Sequence, residues 1–156
     1  MERIVAQRKL TKMKRLFLLL AILAGMASVS MAQSAADRIV GTYLAKLSNN
    51  DAHVKVFKHN GGYRMQVIWL KTPKNADGTV KVDSKNPDKA KRNTPLTQVV
   101  LVDKVTYEDG IWQNGRIYDP TSGKTYKTEL RLDGKQLEVR GKLGPFHKSM
   151  YWTKIK

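Results

Sequence analysis

The sequence predicts an all-β domain, a small antiparallel up-and-down barrel of eight strands, with a β-sandwich as the alternative. Hairpin turn signals recur along the chain, with Asn-Gly at 60–61, Asp-Pro at 119–120 and Asp-Gly at 133–134. The flanking segments alternate apolar and polar residues with the period of two that strands show, and no convincing amphipathic helix follows the N-terminal region. Closing the last strand on the first would remove both sheet edges, which favours the barrel.

The N-terminal region is typical of a secretory signal peptide over residues 1–32. A basic stretch at 12–15 precedes an apolar run at 16–24, and small residues stand at positions 30 and 32. The run is about half of the roughly 20 residues that a membrane span needs, so no transmembrane span is predicted in the mature chain. We expect cleavage near Ala32-Gln33, which leaves residues 33–156 as a single exported domain, periplasmic or secreted. Translation from Met13 would preserve the same signal.

The charge of the chain limits the classes of partner. The full sequence has 29 Lys and Arg against 13 Asp and Glu, and without residues 1–32 the balance is 23 against 12. In an exported protein the polyanions within reach are lipid headgroups and envelope polymers, so a small amphiphile or an anionic envelope component is expected and nucleic acid is not. A solvated lysine surface without a specific partner is the simpler interpretation. The absence of cysteine excludes disulfides, thiolate metal ligands and a lipoprotein anchor.

The first three predicted strands cover residues 39–45, 53–59 and 63–70. The Asn60-Gly61 turn joins the second and third strands as a two-residue hairpin. The predicted register pairs Val54 with Val67, Val56 with Met65 and Lys58 with Tyr63. Trp69 is predicted to extend the buried face of this hairpin.

Residues 71–96 interrupt the strand pattern with seven basic residues, three aspartates and three prolines. Connections in compact domains have medians of about 4 to 6 residues, so this long basic loop is expected to be functional or flexible. Asp83, Asn86 and Asp88 offer oxygen atoms of the kind that calcium binds, but their spacing is not that of a calcium loop. Such side chains beside proline more often cap turns, so we favour a turn role and predict no metal.

The second half of the chain contains the clearest hairpin. A strand at 96–102, which residues 104–108 either continue or follow as a short extra strand, leads to a turn at 109–110. Asp119 is then predicted to pair with Lys124 across a loop in which Gly123 takes positive φ. The predicted inner face carries Ile111, Ile117, Tyr126, Leu130 and Leu132. The predicted outer face carries Trp112, Arg116, Tyr118, Lys127, Glu129 and Arg131, with Arg140 on the next strand.

The last two strands follow a second two-residue turn at 133–134. This turn is predicted to pair Leu132 with Lys135 and Leu130 with Leu137. A bend over residues 141–145 then leads to a final strand over 147–155, which completes the eight.

Several short motifs occur in an order that resembles a known bacterial family. They are Gly41-x-Tyr43, Asp83-x-x-Asn86-Pro87-Asp88, Tyr118-Asp119-Pro120-x-x-Gly123-Lys124-x-Tyr126, Leu137-x-Val139-x-Gly141 and Trp152. Their order is similar to that of the exported family called domain of unknown function 2147, over nearly the whole mature chain. Thr97-Gln98 replaces the family's usual glycine, and Tyr43 replaces a frequent tryptophan. The resemblance implies a small exported β-barrel with no established activity.

The leading functional hypothesis is a non-enzymatic binding or accessory module with a lipocalin-like, or calycin-like, barrel. In this hypothesis the loop at 71–96 is a lid, and the bound molecule is a small amphiphile or an anionic envelope component. Trp69 and Trp152 are the expected apolar walls, and Arg92, Arg116 and Arg140 are the expected anion partners. Trp112, Tyr118, Asp119 and Tyr126 complete the candidate binding residues.

Two other hypotheses stay open. The first is a small hydrolase or isomerase that uses Asp119 or Asp88 with Tyr126, although an aspartate before proline is ordinary turn chemistry and no catalytic motif is present. The second is a structural envelope protein that binds a polymer or a protein partner through its basic surface. No cofactor is predicted in any of them.

Overall fold

The computed structural model describes residues 35–46 and 50–156. The predicted signal peptide lies outside these residues. Residues 38–156 form one compact unit, which contains all the described strands.

This unit is a closed antiparallel barrel of eight strands. Each strand pairs with the next one in sequence, and the last pairs with the first, which confirms the predicted barrel. Closure joins Tyr43 to Lys154 and Leu44 to Thr153. The strands are β1 (Gly41–Lys46), β2 (Asp51–His59), β3 (Gly62–Leu70), β4 (Val100–Glu108), β5 (Ile111–Asp119), β6 (Lys124–Asp133), β7 (Gln136–Leu143) and β8 (Phe146–Lys154).

The up-and-down order sorts the connections between the two ends of the barrel. The two-residue turns at 60–61, 109–110 and 134–135 lie at one end, the tight-turn end. The connections at 71–99, 120–123 and 144–145 lie at the other, the long-loop end. Any access route along the barrel axis therefore has two chemically different entrances.

Side chains fill the interior toward the tight-turn end. Met65, Leu130, Leu137 and Val139 have no exposed surface, so no water-sized space adjoins them. Ile39, just before β1, is also fully buried, and its carbonyl accepts a hydrogen bond from the Tyr43 hydroxyl at 2.8 Å. Eight-stranded barrels are narrow enough for side chains to occupy the interior, and this half of the barrel is packed in that way.

The two strongest turn signals give the predicted registers. Asn60 and Gly61 take φ values of 47° and 71°, as a type I′ turn requires, and Val54 pairs with Val67 as predicted. Asp119 pairs with Lys124, and Gly123 has φ 72°. Local turn chemistry therefore determines both hairpins.

Trp69 was wrongly predicted to be an inner residue. The pairing of β2 with β3 shifts between His53 and Val54, because Ile68 is an extra residue on β3. This bulge reverses the side-chain alternation, so that Trp69 pairs with His53 and is 42% exposed. The two rings lie 4.3 Å apart between centroids, on the face opposite the buried Ala52 and Leu70. Trp69 is therefore not a wall of the interior.

Trp112 was wrongly predicted to lie on the outer face. A second register shift falls between Trp112 and Gly115, where Asn114 takes φ 61°. Trp112 consequently pairs with Leu130 in the core and is only 3% exposed. Both misplaced tryptophans thus result from bulges.

Three boundaries also differ from the prediction. Leu96–Gln98 is a turn of 3-10 helix, so the fourth strand starts at Val100 and continues to Glu108. The turn between β6 and β7 uses Gly134 and Lys135, which pairs Asp133 with Gln136 and leaves the faces unchanged. The expected bend at 141–145 is instead the end of a regular hairpin, because Leu143 pairs with Phe146 across Gly144-Pro145.

Tyr43→Phe should lower stability and flatten its alkaline pH dependence. Removing the hydroxyl leaves the Ile39 carbonyl without its donor, for a loss of about 1 kcal/mol near neutral pH. Burial raises the pKa of Tyr43 from about 10 to about 12, so this residue's contribution to stability is complete below pH 10 and is lost as the pH rises toward 12.

Urea denaturation of wild type and variant across this pH range would measure both effects. Tyr151→Phe, at an exposed tyrosine, is the matched control and should change neither quantity. An unchanged alkaline slope in Tyr43→Phe would contradict the assignment.

Candidate binding site at the long-loop end

The interior becomes accessible toward the long-loop end of β6, β7 and β8. These strands pair without a register shift, so the inward alternation seen at Leu130, Val139 and Trp152 continues to their ends. Along this face, the side chains are fully buried near the middle of the strands, then partly buried, and finally exposed at the long-loop end. The inward positions at this end are Lys124, Tyr126, Gly141, Leu143, Phe146, Lys148 and Met150.

Gly141 leaves room among these residues. A β-carbon at this position would lie 3.8 Å from Tyr126 Cβ and 3.9 Å from Ile117 Cγ2, which is ordinary van der Waals contact. The glycine is therefore not required by close packing. The inward face beside Tyr126 and Ile117 has room for a methyl group at position 141.

Lys148 adds a positive charge to the inward surface of β7 and β8 at this end, which is otherwise apolar. It pairs directly with Gly141, so its neighbour on β7 has no side chain. Leu143 and Phe146 lie beyond it at the hairpin end and are 65% and 76% exposed. One cation beside several apolar side chains suits a molecule with an acidic head and an apolar body.

The loop at 71–96 has defined structure and packs on the β5–β6 hairpin. Asp83 is 1% exposed, and its carboxylate accepts hydrogen bonds from the Tyr118 hydroxyl at 2.7 Å and from the Asn86 amide at 2.6 Å. Burial, together with the bond to Asp83 and its charge, raises the pKa of Tyr118 and keeps this donor protonated. The two most specific sequence motifs thus contact each other.

Gly123 makes a second contact between the loop and this hairpin. A β-carbon here would lie 2.2 Å from the Lys85 carbonyl oxygen, which only glycine avoids. Lys85 Nζ donates to the Thr121 carbonyl at 2.7 Å, so Lys85 is held at both its backbone and its side chain. The loop is therefore fixed to the β5–β6 turn and is not a free lid.

Asn86 and Asp88 have the turn role that the sequence favoured. The Asn86 side chain accepts from the Asp88 N–H at 2.9 Å, and Asp88 accepts from the Ala90 N–H at 3.0 Å at the start of a 3-10 helix, Lys89–Lys91. Within the described residues, no group of three histidine, aspartate or glutamate side chains is arranged to hold a metal ion.

The Asp119 carboxylate is occupied within its own turn. Its Oδ1 accepts from the Thr121 N–H and hydroxyl at 2.9 and 2.7 Å, and its Oδ2 accepts from the Ser122 hydroxyl at 2.7 Å. Desolvation raises the pKa of Asp119, but the hydrogen bonds from Ser122 and Thr121 outweigh it, so the pKa lies below its ordinary value. A carboxylate held in this way is a weak proton acceptor at neutral pH.

Arg140 lies on the predicted outer face, where it is bound to a carboxylate. It contacts Glu138 at 2.9 Å, and Ser149 donates to the same carboxylate at 2.7 Å. The Ser149 bond lowers the pKa of Glu138 and, against the opposing effect of desolvation, Arg140 lowers it further. This arrangement satisfies Arg140 without an external anion.

The other two arginines of the predicted anion site lie on different elements. Arg92 belongs to the long loop and donates to the Asn86 carbonyl at 2.8 Å. Arg116 is exposed on the outer face of β5 and reaches the Thr125 carbonyl at 3.5 Å. With Arg140 bound to Glu138, each arginine of the predicted set has a separate environment.

Trp152 and Tyr126 keep their predicted inward orientation. Trp152 is 2% exposed, pairs with Leu137, and its indole N–H has no hydrogen-bond acceptor among the described residues. Tyr126 is half-buried nearer the long-loop end. The sequence prediction missed Leu143, Phe146, Lys148 and Met150 as a group. Apolar residues directly flanking the Gly144-Pro145 turn were the available signal.

A family model for DUF2147, described as an uncharacterized protein conserved in bacteria, matches residues 41–154. The chain belongs to the DUF2147 family. The matched region spans every strand of the barrel, including the contact between Asp83 and Tyr118.

A solved structure supports the fold of this DUF2147 chain. It is protein HP1028 from Helicobacter pylori, described as belonging to the lipocalin family. It is 25% identical to this chain with a TM-score of 0.62, and the match covers 76% of this chain and 83% of that one. A search of curated proteins finds no match. None of the helices that the structure describes has the length and hydrophobicity of a membrane span.

Gly123→Ala should destabilise the DUF2147 barrel by about 3 kcal/mol, because it combines an unfavourable positive φ with a clash against Lys85. Gly78→Ala is the matched control, since Gly78 lies in the loop at 71–96 with a similar φ of 84° and nothing within 4 Å. It should lose only about 1 kcal/mol. Chemical denaturation measures both values. Equal losses would mean that the contact between Gly123 and Lys85 contributes nothing.

Proposed function

We propose that this protein is a non-enzymatic binding module that holds a small anionic amphiphile at the long-loop end of its barrel. The observation that carries this proposal is the exposure of Leu143 and Phe146 on the inward-facing side of β7 and β8. Large apolar side chains at the mouth of a barrel are characteristic of ligand sites.

The packed half of the barrel limits how deeply a ligand can enter. Because Leu130, Leu137 and Val139 have no exposed surface, the apolar part of the ligand lies above them, against Tyr126, Met150 and the space beside Gly141. Its acidic group then lies near Lys148. In this site, Lys148 on the inward face of β8 takes the place of the arginine set expected from the sequence.

The lipocalin relationship of HP1028 supports a carrier over an enzyme, since barrels of that class commonly hold one small ligand. The Asp119 carboxylate, occupied by Thr121 and Ser122, adds no support for the hydrolase or isomerase hypothesis. The signal-like N-terminus leads us to place this function outside the cytoplasm, where the ligand would be a lipid-derived or other envelope component.

Lys148→Gln should weaken binding of dansylaminoundecanoic acid, a fluorescent fatty-acid analogue, by about fivefold to tenfold. The variant removes the cation that faces the carboxylate while leaving the apolar surface unchanged. Fluorescence titration of a protein that begins at Gln33, below the micelle concentration of the probe, measures the affinity.

Two controls make this test specific. Lys135→Gln removes an equally exposed lysine at the tight-turn end and should leave the affinity unchanged. The methyl ester of the probe, which has no charge, should bind wild type and Lys148→Gln equally. Failure of the wild-type protein to bind the probe, or equal losses in both lysine variants, would contradict the proposed site.

A further inference from the structure

The β7–β8 hairpin ends in two apolar side chains that the barrel does not cover. Leu143 and Phe146 pair across Gly144-Pro145, and we call these two residues the apolar tip. Phe146 is the most exposed large hydrophobic residue among those described, and Leu143 is the next. Burying both side chains outside water would be favourable, so an apolar environment for the tip would stabilise a complex.

Basic residues occupy the outer face of the same strands, next to the apolar tip. Arg116 pairs with Lys127, Lys127 pairs with Lys142, and Lys142 pairs with His147, so one row crosses β5, β6, β7 and β8. We call Arg116, Lys127 and Lys142 the basic row. Like charges on directly paired positions repel each other, which is unfavourable unless an anion lies against them.

The nearby acidic side chains balance only part of this charge. Glu129 binds Lys142 on the outer face, and Asp119 is held in its own turn. Lys124 and Lys148 add positive charge on the inward face of the same strand ends. The end of the β5–β8 sheet is therefore both cationic and, at its outermost point, apolar.

We propose that the β7–β8 hairpin docks this protein on an anionic lipid surface, with the apolar tip inserted among the lipids and the basic row against their phosphates. Charge complementarity selects the occupant: an anionic bilayer offers phosphates at its surface and apolar chains just below them. Nucleic acid would neutralise the basic row but would leave Leu143 and Phe146 in water. An uncharged hydrophobic partner would cover the tip but leave the row unneutralised.

This inference shares Leu143 and Phe146 with the proposed function, whereas its basic row faces outward and lies apart from the inward-facing amphiphile site. The two are related by position, however. Docking through the hairpin would hold the long-loop end of the barrel against the lipid surface, where an amphiphile could pass between membrane and barrel without crossing water.

Vesicle flotation tests the docking surface directly. The protein that begins at Gln33 contains the complete barrel unit and lacks the apolar run at 16–24, which would bind lipid by itself. We expect it to float with vesicles of phosphatidylcholine mixed with phosphatidylglycerol, not with phosphatidylcholine alone. High salt should release it, because salt screens exposed charges.

Two double variants separate the apolar and charged contributions. Leu143→Ser with Phe146→Ser should weaken binding to the mixed vesicles at least about tenfold, since both side chains lose their apolar contact. Arg116→Gln with Lys127→Gln should weaken it about 25-fold, at about fivefold for each basic side chain. All four side chains are exposed, so both double variants should retain the fold. Circular dichroism would verify this.

Matched controls use residues away from the hairpin. Lys104→Gln with Lys135→Gln removes two exposed lysines and should change vesicle binding less than twofold if location, not net charge, matters. Val80→Ser removes an exposed apolar side chain from the long loop and should have no effect. Equal losses in the control and basic-row variants would overturn the proposal in favour of non-specific attraction.

A reporter at the tip gives a second measurement. Phe146→Trp in a Trp69→Phe background should show additional fluorescence quenching by brominated phosphatidylglycerol relative to Trp69→Phe alone, because the exposed Trp69 is then removed and the remaining Trp112 and Trp152 are buried. No additional quenching, or capture of the protein by an acidic protein with no vesicle binding, would overturn the proposal. The basic-row variant should still bind the dansyl probe, so loss of vesicle binding is distinguishable from failure of the amphiphile site.

Discussion

The pairing of β1 with β8 is the constraint on which the rest of this structure depends. Only two residue pairs form this ladder, and the backbone of Thr42 extends it by bonding with Ile155 and Lys156. Because it leaves no free sheet edge, every residue of the eight strands faces either an enclosed interior or the outside. Depth along the barrel axis, together with the strand on which a residue lies, then decides whether an inward residue is core or accessible.

Depth separates the two halves of the interior clearly. Toward the tight-turn end, bulky residues such as Trp112 and Trp152 occupy the interior, and the Tyr43 hydroxyl binds the chain just before β1. Toward the long-loop end of β6, β7 and β8, Gly141 reduces the side-chain volume and inward residues become exposed, whereas Ala45, Ala52 and Leu70 on the other side of the barrel stay buried. The interior of this barrel is therefore not uniform, and a ligand site in it would lie nearer the long-loop end.

The long-loop end combines a rigid side and a projecting side. On the rigid side, Asp83 binds Tyr118 and Gly123 packs against Lys85, so the longest connection is fixed to the β5–β6 turn. On the projecting side, the β7–β8 hairpin presents apolar and basic residues on alternate positions. Strand alternation places Leu143, Phe146 and Lys148 on the inward face of this hairpin and Lys142 on its outward face.

The sequence by itself determined the elements whose causes are local. Asn60-Gly61 and Gly123 specify their turns through positive φ, and regular alternation gives the number of strands, from which closure could be predicted. Only the tertiary structure decided where the alternation breaks. The extra residue at Ile68 and the positive φ at Asn114 reverse the sides of the sheet on which Trp69 and Trp112 lie. The sequence pattern of a single strand does not reveal such a bulge, because a bulge depends on how two strands pair.

The tertiary structure also decided which residues form the candidate site. Residue type alone suggested three anion partners, Arg92, Arg116 and Arg140. The structure places them in separate environments, through strand pairing and through the contact of Arg140 with Glu138. The contact between Asp83 and Tyr118, 35 residues apart in the chain, likewise depends on how the loop at 71–96 packs on the β5–β6 hairpin. The sequence specifies the type of each residue. Long-range strand pairing decides which residues share a face of the sheet and a depth in the barrel, and residue order alone does not specify that pairing.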